Sequence, residues 1–189
     1  MTREELEHII RASADITDQY EFVIIGSQSM LGPVGPVPNP EAMFTVSMEA
    51  DIYPKDAPEL ADKIDGAIGE GSRFHETYGY YAQGVGPQTA ILPRDWQNRV
   101  HRLQNVNTNN RVGYCLDLVD LFLSKAAAGR EKDREFCTAL LEHGYVQLIQ
   151  VLDLVTTMPI DNNEQRALRA SIRRWAKSLC ETGHDIPGA

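Results

Sequence analysis

Two carboxylates one residue apart, Glu49 and Asp51, stand in the stretch Val46-Ser-Met-Glu-Ala-Asp-Ile-Tyr53. Its apolar Val46, Met48, Ala50 and Ile52 alternate with Ser47, Glu49, Asp51 and Tyr53. A period of two is the pattern of a half-buried strand, and it puts both carboxylates on one face, about 7 Å apart at the backbone. Their oxygens can converge on a divalent cation, and such hard donors suit Mg²⁺ bound together with a phosphate-bearing substrate. The same alternation also describes a plain solvated strand face. Upstream, Gly26-Ser27-Gln28-Ser29 follows the apolar run Phe22-Val-Ile-Ile25. Glycine lets a backbone approach a ligand closely, and N–H groups with a serine hydroxyl at a helix start can cradle phosphate, although Gly-Ser after a strand also serves as a simple turn. Downstream, Lys125 continues the helical stripe Leu118, Leu121, Phe122. An ammonium pointing inward needs an anion, either a protein carboxylate or a substrate phosphate; the alternative is a stem that snorkels to water.

The elements that position these groups can be read in order. A helix over 2–14 has a capping box in Thr2 and Glu5 and a stripe of Leu6, Ile9 and Ile10. A turn at Thr17-Asp18 leads to a buried strand over 22–25. Residues 32–40 hold four prolines and two glycines, which excludes regular structure and predicts a surface loop. A helix over 58–68 opens at Pro58, and the aromatic stretch 74–83 with 88–92 predicts a hairpin, followed by a strand over 103–106. Beyond Gly113 the pattern is helical: 117–128, then a helix that follows Gly129-Arg-Glu-Lys-Asp133 and ends at Gly144, then 145–157 and 162–180. The last helix sets Leu168, Ile172, Trp175 and Leu179 on one face and Arg166, Arg169, Arg173 and Lys177 along another. Such a basic ridge is either a solvated face or a place for an RNA backbone or an acidic partner.

Length and composition narrow the classes. A chain of 189 residues fits one domain, or one domain with a helical appendage. A formal net charge of −9 argues against non-specific coating of nucleic acid while leaving room for a local basic patch. Cys115, Cys137 and Cys180 are scattered, without a Cys-x-x-Cys pair, so buried reduced thiols are expected rather than disulfides or a zinc knuckle. No apolar run reaches membrane-span length and the first residues are too polar for a signal peptide, so a cytoplasmic protein with no membrane partner is expected.

The order of apolar strand, Gly26-Ser27, and the strand Met48-Glu-Ala-Asp-Ile52 resembles the DNA polymerase β superfamily of nucleotidyltransferases. Asp120-Leu-Phe-Leu-Ser-Lys-Ala-Ala-Ala-Gly-Arg-Glu-Lys-Asp133 resembles the helix of AbiE-type and MenT-type nucleotidyltransferase toxins, in which a lysine and a later aspartate complete the site. The resemblance implies an α+β fold, a small mixed sheet with flanking helices over 1–112, then a C-terminal helical bundle over 113–189 packed on that core. It implies a nucleoside triphosphate (NTP) as substrate and Mg²⁺ as cofactor. Glu49 and Asp51 would hold the metal, Gly26 and Ser27 the triphosphate, Lys125 would offset phosphate charge, and Asp133 would orient Lys125 or assist the acceptor. Arg130 and Lys132 are secondary phosphate candidates, or solvated charges. Two departures accompany it. Twenty-one residues separate Ser27 from Glu49, about twice the usual gap, which the proline-rich loop would absorb. The strand expected over 88–92 carries no third carboxylate; Glu76 and Asp95 are nearby without a motif, and Asp133 is a substitute. The acceptor implied is RNA, such as a tRNA 3′ end, or a protein hydroxyl, or a small molecule as in antibiotic-inactivating members. A catalytically silent binding module, partnered by a cognate antitoxin or regulatory protein, is the reading from a different class.

Overall fold

Helix α1 (Arg3–Thr17) starts where its capping residues dictate. The Thr2 hydroxyl accepts from the Glu5 N–H at 3.2 Å while the Glu5 carboxylate accepts from the Thr2 N–H at 2.7 Å. That reciprocal pair satisfies two donors that a helix start otherwise leaves orphaned. The computed structural model describes residues 1–32 and 47–189. The predicted proline-rich loop beyond Gly32, and Val46 of the predicted carboxylate strand, lie outside the described residues.

Two units are distinguished, Met1–Ala90 with Arg99–Asp117, and Ile91–Asn98 with Leu118–Ala189. The first is built on a five-stranded mixed sheet of β1 (Glu21–Ile25), β2 (Glu49–Pro54), β3 (Tyr81–Gly84), β4 (His101–Leu103) and β5 (Val112–Cys115), in the order β3-β2-β1-β5-β4. β1 runs antiparallel to β2 and parallel to β5; β3 is parallel to β2 and β4 antiparallel to β5. Phe22, Ile24, Ala50, Ile52 and Ala82 form one buried cluster with Leu6, Ile9 and Ile10 of α1 and Ile64 of α2 (Ala61–Ile68). Removing this apolar surface from water, at about 25 cal/mol per Å², is the main force that fixes the register of β1 and β2.

Four expectations are corrected here. The strand expected over 103–106 is instead His101–Leu103, and Val106 is 83% exposed. The hairpin predicted over 74–83 and 88–92 does not form. Arg73–Tyr78 is helix α3, because Ser72 accepts from the His75 N–H at its start and Gly79 takes the left-handed conformation at its end; Pro87–Thr89 is a short 3₁₀ turn. Only Tyr81–Gly84 is strand, and its partner is β2. Met48, expected in the core, precedes the β2 ladder and is 53% exposed. Beyond Gly113, where the pattern is expected to turn helical, the chain is first strand: β5 (Val112–Cys115) pairs with β1 through residues such as Tyr114 opposite Val23.

The second unit contains α4 (Leu118–Ala128), α5 (Glu131–Glu142), α6 (Leu148–Leu154) and α7 (Asn162–Glu181). Their apolar stripes, including Phe122, Phe136, Leu140, Val151, Leu168 and Ile172, are buried. α7 begins with a second capping box, Asp161 with Glu164. Cys115 and Cys137 are buried free thiols, as expected, whereas Cys180 is exposed. Among the described residues no helix is long and apolar enough to cross a membrane.

Candidate functional site

β1 ends at Ile25, which stands opposite Asp51 in the antiparallel ladder. The next residue, Gly26, has φ +69° and ψ −169°, a region open essentially to glycine alone. A Cβ placed on Gly26 would lie 2.0 Å from Asp51 Oδ2. Gly26 is therefore demanded twice, by its own backbone and by the carboxylate beside it. Ser27 opens the 3₁₀ helix Ser27–Leu31 and is half-buried. Gln28 and Ser29 turn inward and serve the fold: Ser29 Oγ donates to the Ile24 carbonyl at 2.5 Å and accepts from the Leu116 N–H at 3.1 Å, and Gln28 Nε2 donates to the Ser47 carbonyl at 3.0 Å. Of the Gly-Ser-Gln-Ser stretch, only Gly26 and Ser27 retain a candidate role toward a ligand.

Glu49 and Asp51 occupy alternate positions of β2 and are both half-buried, with Ala50 between them wholly buried. In the parallel ladder Glu49 lies beside Tyr81, and Asp51 beside Gln83. The Tyr81 hydroxyl donates to Glu49 Oε2 at 3.0 Å. Burial, and then the charge and hydrogen bond of Glu49, push the Tyr81 phenol up to about 12. It therefore remains a donor that orients the carboxylate. The His75 ring packs on Tyr81 at 4.6 Å between centroids. Sequence reasoning missed Tyr81 because it assigned this tyrosine to a hairpin; its signal was alternation with the small, buried Ala82. The strand positions flanking the carboxylates are thus neutral, and Glu76 is an exposed residue of α3. Among the described residues no group of three His, Cys, Asp or Glu could hold a metal ion. The pair nonetheless fits Mg²⁺ in donor chemistry: two carboxylates on one strand face, with glycine in place of a side chain against Asp51 Oδ2.

The second unit gathers the other predicted residues. Gly129, with φ +69°, separates α4 from α5 and returns the chain so that Asp133, in the first turn of α5, meets Lys125 from the last turn of α4. Lys125 Nζ lies 3.3 Å from Asp133 Oδ1, and Arg130 Nε lies 2.6 Å from Oδ2. The Asp133 side chain is 0% exposed, that of Lys125 12%, and that of Arg130 62%. Burial disfavours the Asp133 charge, but the Arg130 hydrogen bond and the neighbouring Lys125 outweigh it and hold the carboxyl below the ordinary aspartate value. Lys125 also sits 4.6 Å above the Phe136 ring centroid, a cation–π contact. Of the two options for the inward lysine, the partner found is the protein carboxylate. Both Asp133 oxygens are engaged by Lys125 and Arg130, so Arg130, although mostly exposed, is also a counter-ion of Asp133. Lys132, next to the buried Asp133, is exposed.

A small mixed sheet with flanking helices, a Gly-Ser turn set against a two-carboxylate strand, and a following set of helices define the nucleotidyltransferase fold. The family described as "Nucleotidyltransferase of unknown function (DUF6036)" matches residues 4–179, and the chain belongs to that family. No curated protein and no solved structure matches the chain.

Proposed function

We propose that the protein transfers a nucleoside monophosphate from an NTP to an acceptor hydroxyl, with Mg²⁺ as cofactor and RNA as acceptor, in the manner of the AbiE-type and MenT-type toxins it resembles. The observation that carries this reading is the contact of Gly26 with Asp51, which makes the Gly-Ser turn and the Glu49/Asp51 strand one device. Glu49 and Asp51 would hold the ion, which when bound neutralises phosphate charge and positions the attacking and leaving oxygens. Tyr81 fixes the Glu49 carboxylate through its hydrogen bond. Gly26 and Ser27 offer backbone N–H groups and a hydroxyl to the triphosphate. On the same resemblance Lys125 would offset phosphate charge, and Asp133, its partner within the second unit, would hold that ammonium in one orientation. A cytoplasmic toxin or defence component would be paired with a cognate antitoxin or regulatory protein.

The test incubates the protein with each α-labelled NTP, Mg²⁺ and cell extract, and follows label into RNA, protein or small molecules. Label in RNA, lost in both Asp51→Ala and Lys125→Ala with circular dichroism unchanged, is the expected result; full activity in both variants refutes the assignment. One observation favours a second reading, a catalytically silent binding module: Tyr81 and Gln83, not acids, flank the carboxylates on β3. Calorimetry that finds neither NTP nor Mg²⁺ binding would establish it.

A further inference from the structure

Helix α7 carries charge of the opposite sign to the rest of the chain. Residues 162–181 hold five Lys and Arg against two Glu, net +3, whereas the remainder holds 13 against 25, net −12. At 100° per residue, Arg166, Arg173 and Lys177 fall within about 20° of one line, and at 1.5 Å per residue the line is about 16 Å long. All three are exposed. The buried side of the helix, Leu168, Ile172 and Ala176, lies about 80–160° around the axis from that line. Arg169 lies off the line and is used structurally, donating to the Leu152 carbonyl at 2.6 Å at the end of α6.

The three ridge cations are weakly committed within the protein. Arg166 donates to the Asn162 carbonyl and to Asn163 Oδ1, both neutral acceptors. Lys177 is 3.9 Å from Glu181, with both side chains mostly exposed, a pair worth little in water. No exposed large apolar side chain lies on α7; those of the described residues are Tyr20, Met48, Tyr78, Ile91, Val106 and Ile149. A protein partner is held by an apolar core ringed by polar groups, and this helix face offers no such core. A linear array of cations without apolar anchors matches a polyanion of regularly spaced charge, and arginine forks fit phosphate oxygens two at a time.

We infer that the Arg166/Arg173/Lys177 ridge of α7 binds the phosphodiester backbone of RNA. This assigns a binding surface for that acceptor and rests, for RNA over other polyanions, on the transferase reading above. Each neutralised phosphate of a single strand contributes about 0.7 to the salt slope, so three contribute about 2, and a fourfold rise in salt weakens such binding about 20-fold more than binding without them.

The experiment measures anisotropy of a labelled RNA hairpin with a single-stranded 3′ end on the full-length chain, as a function of salt. The variants are the triple Arg166→Gln/Arg173→Gln/Lys177→Gln, the single Arg173→Glu, and Asp51→Ala. The inference expects the triple to bind at least tenfold more weakly with a salt slope lower by about 2, Arg173→Glu to weaken binding several-fold, and Asp51→Ala to bind as wild type. It is overturned if wild type binds no RNA, if the triple and Arg173→Glu bind as wild type, or if polyglutamate of equal charge competes as well as RNA. Retained binding with no label transfer would refute the transferase reading alone; transfer with ridge-independent binding would refute the ridge alone.

Discussion

Gly26→Ala is the substitution that most directly probes the candidate site. The added methyl carbon would lie 2.0 Å from Asp51 Oδ2 and 3.1 Å from its Cγ, where ordinary contact begins at 3.4 Å, so about 1.4 Å must be found. The backbone adds to this, since φ +69° with ψ −169° costs a non-glycine residue about 1–3 kcal/mol. Relief by moving Asp51 displaces a candidate metal ligand by about 1 Å, a shift that costs roughly 10²-fold in rate. The expected outcome is therefore a loss of labelled-nucleotide transfer of about 10²-fold, with a melting temperature lowered by about 2–4 °C per kcal/mol. Gly79→Ala is the control. Its φ is +79°, but nothing lies within 4 Å of the new carbon, so it pays only the left-handed backbone cost of about 1–2 kcal/mol and keeps full transfer. A Gly26→Ala protein that transfers within threefold of wild type would refute the coupling of the turn to Asp51.

Asp133→Ala strands the Lys125 ammonium, 12% exposed, without its carboxylate; a loss of about 3–5 kcal/mol in urea unfolding is expected, and a loss under 1 kcal/mol would show that the pair contributes little. Because the folded-state value of Asp133 lies below the 3.8 of an ordinary aspartate, the pair's stabilisation is complete above that pH and disappears as pH falls through the depressed value. The difference in stability between wild type and Asp133→Ala should accordingly shrink below pH 3.8 and not before. Tyr81→Phe removes the donor to Glu49 and should weaken Mg²⁺ or Mn²⁺ binding, followed by calorimetry, about tenfold or more with the fold intact. Unchanged metal affinity in that variant would remove Tyr81 from any role in positioning.

Where sequence and structure agree, one local rule decided the outcome. The capping box of α1, the glycine stop after β1, and the alternation of Ala50 and Ile52 with Glu49 and Asp51 are each read within a few residues, and each appears as read. Lys125 turned inward as its helical phase required, and its partner lay eight residues away across a glycine turn. The failures are places where a tertiary partner overrode the local pattern. Phe74 and Tyr78 look like strand residues, but Ser72 and Gly79 cap them into a helix turn, and both rings pack with His8 of α1. Tyr81 acquires its meaning from Glu49, 32 positions earlier, through a parallel ladder that no short window contains. Val112–Cys115 is too brief to announce itself; Gly113 is explained by the approach of Ile10 and Ile24, which would meet a Cβ at 2.6 and 2.9 Å.

Gly26 is where the two levels of reading diverge most usefully. From sequence, its lack of a side chain admits a ligand's phosphate; in the fold, the nearest group occupying that space is the carboxylate of Asp51. The two explanations predict different couplings. If Gly26 serves a ligand alone, its replacement and that of Asp51 should have independent effects on the stability of the unliganded protein, adding within about 0.5 kcal/mol. If Gly26 is small because Asp51 is close, Asp51→Ala removes Cγ and Oδ2 and leaves only the Cβ, at an ordinary 3.5 Å from the new methyl. The cost of Gly26→Ala in the Asp51→Ala background then falls to the backbone contribution of about 1–3 kcal/mol. Urea unfolding of wild type, both single variants and the double variant measures that difference directly. A coupling above about 0.5 kcal/mol, with the double variant more stable than the sum of the singles, supports the steric reading; strict additivity refutes it.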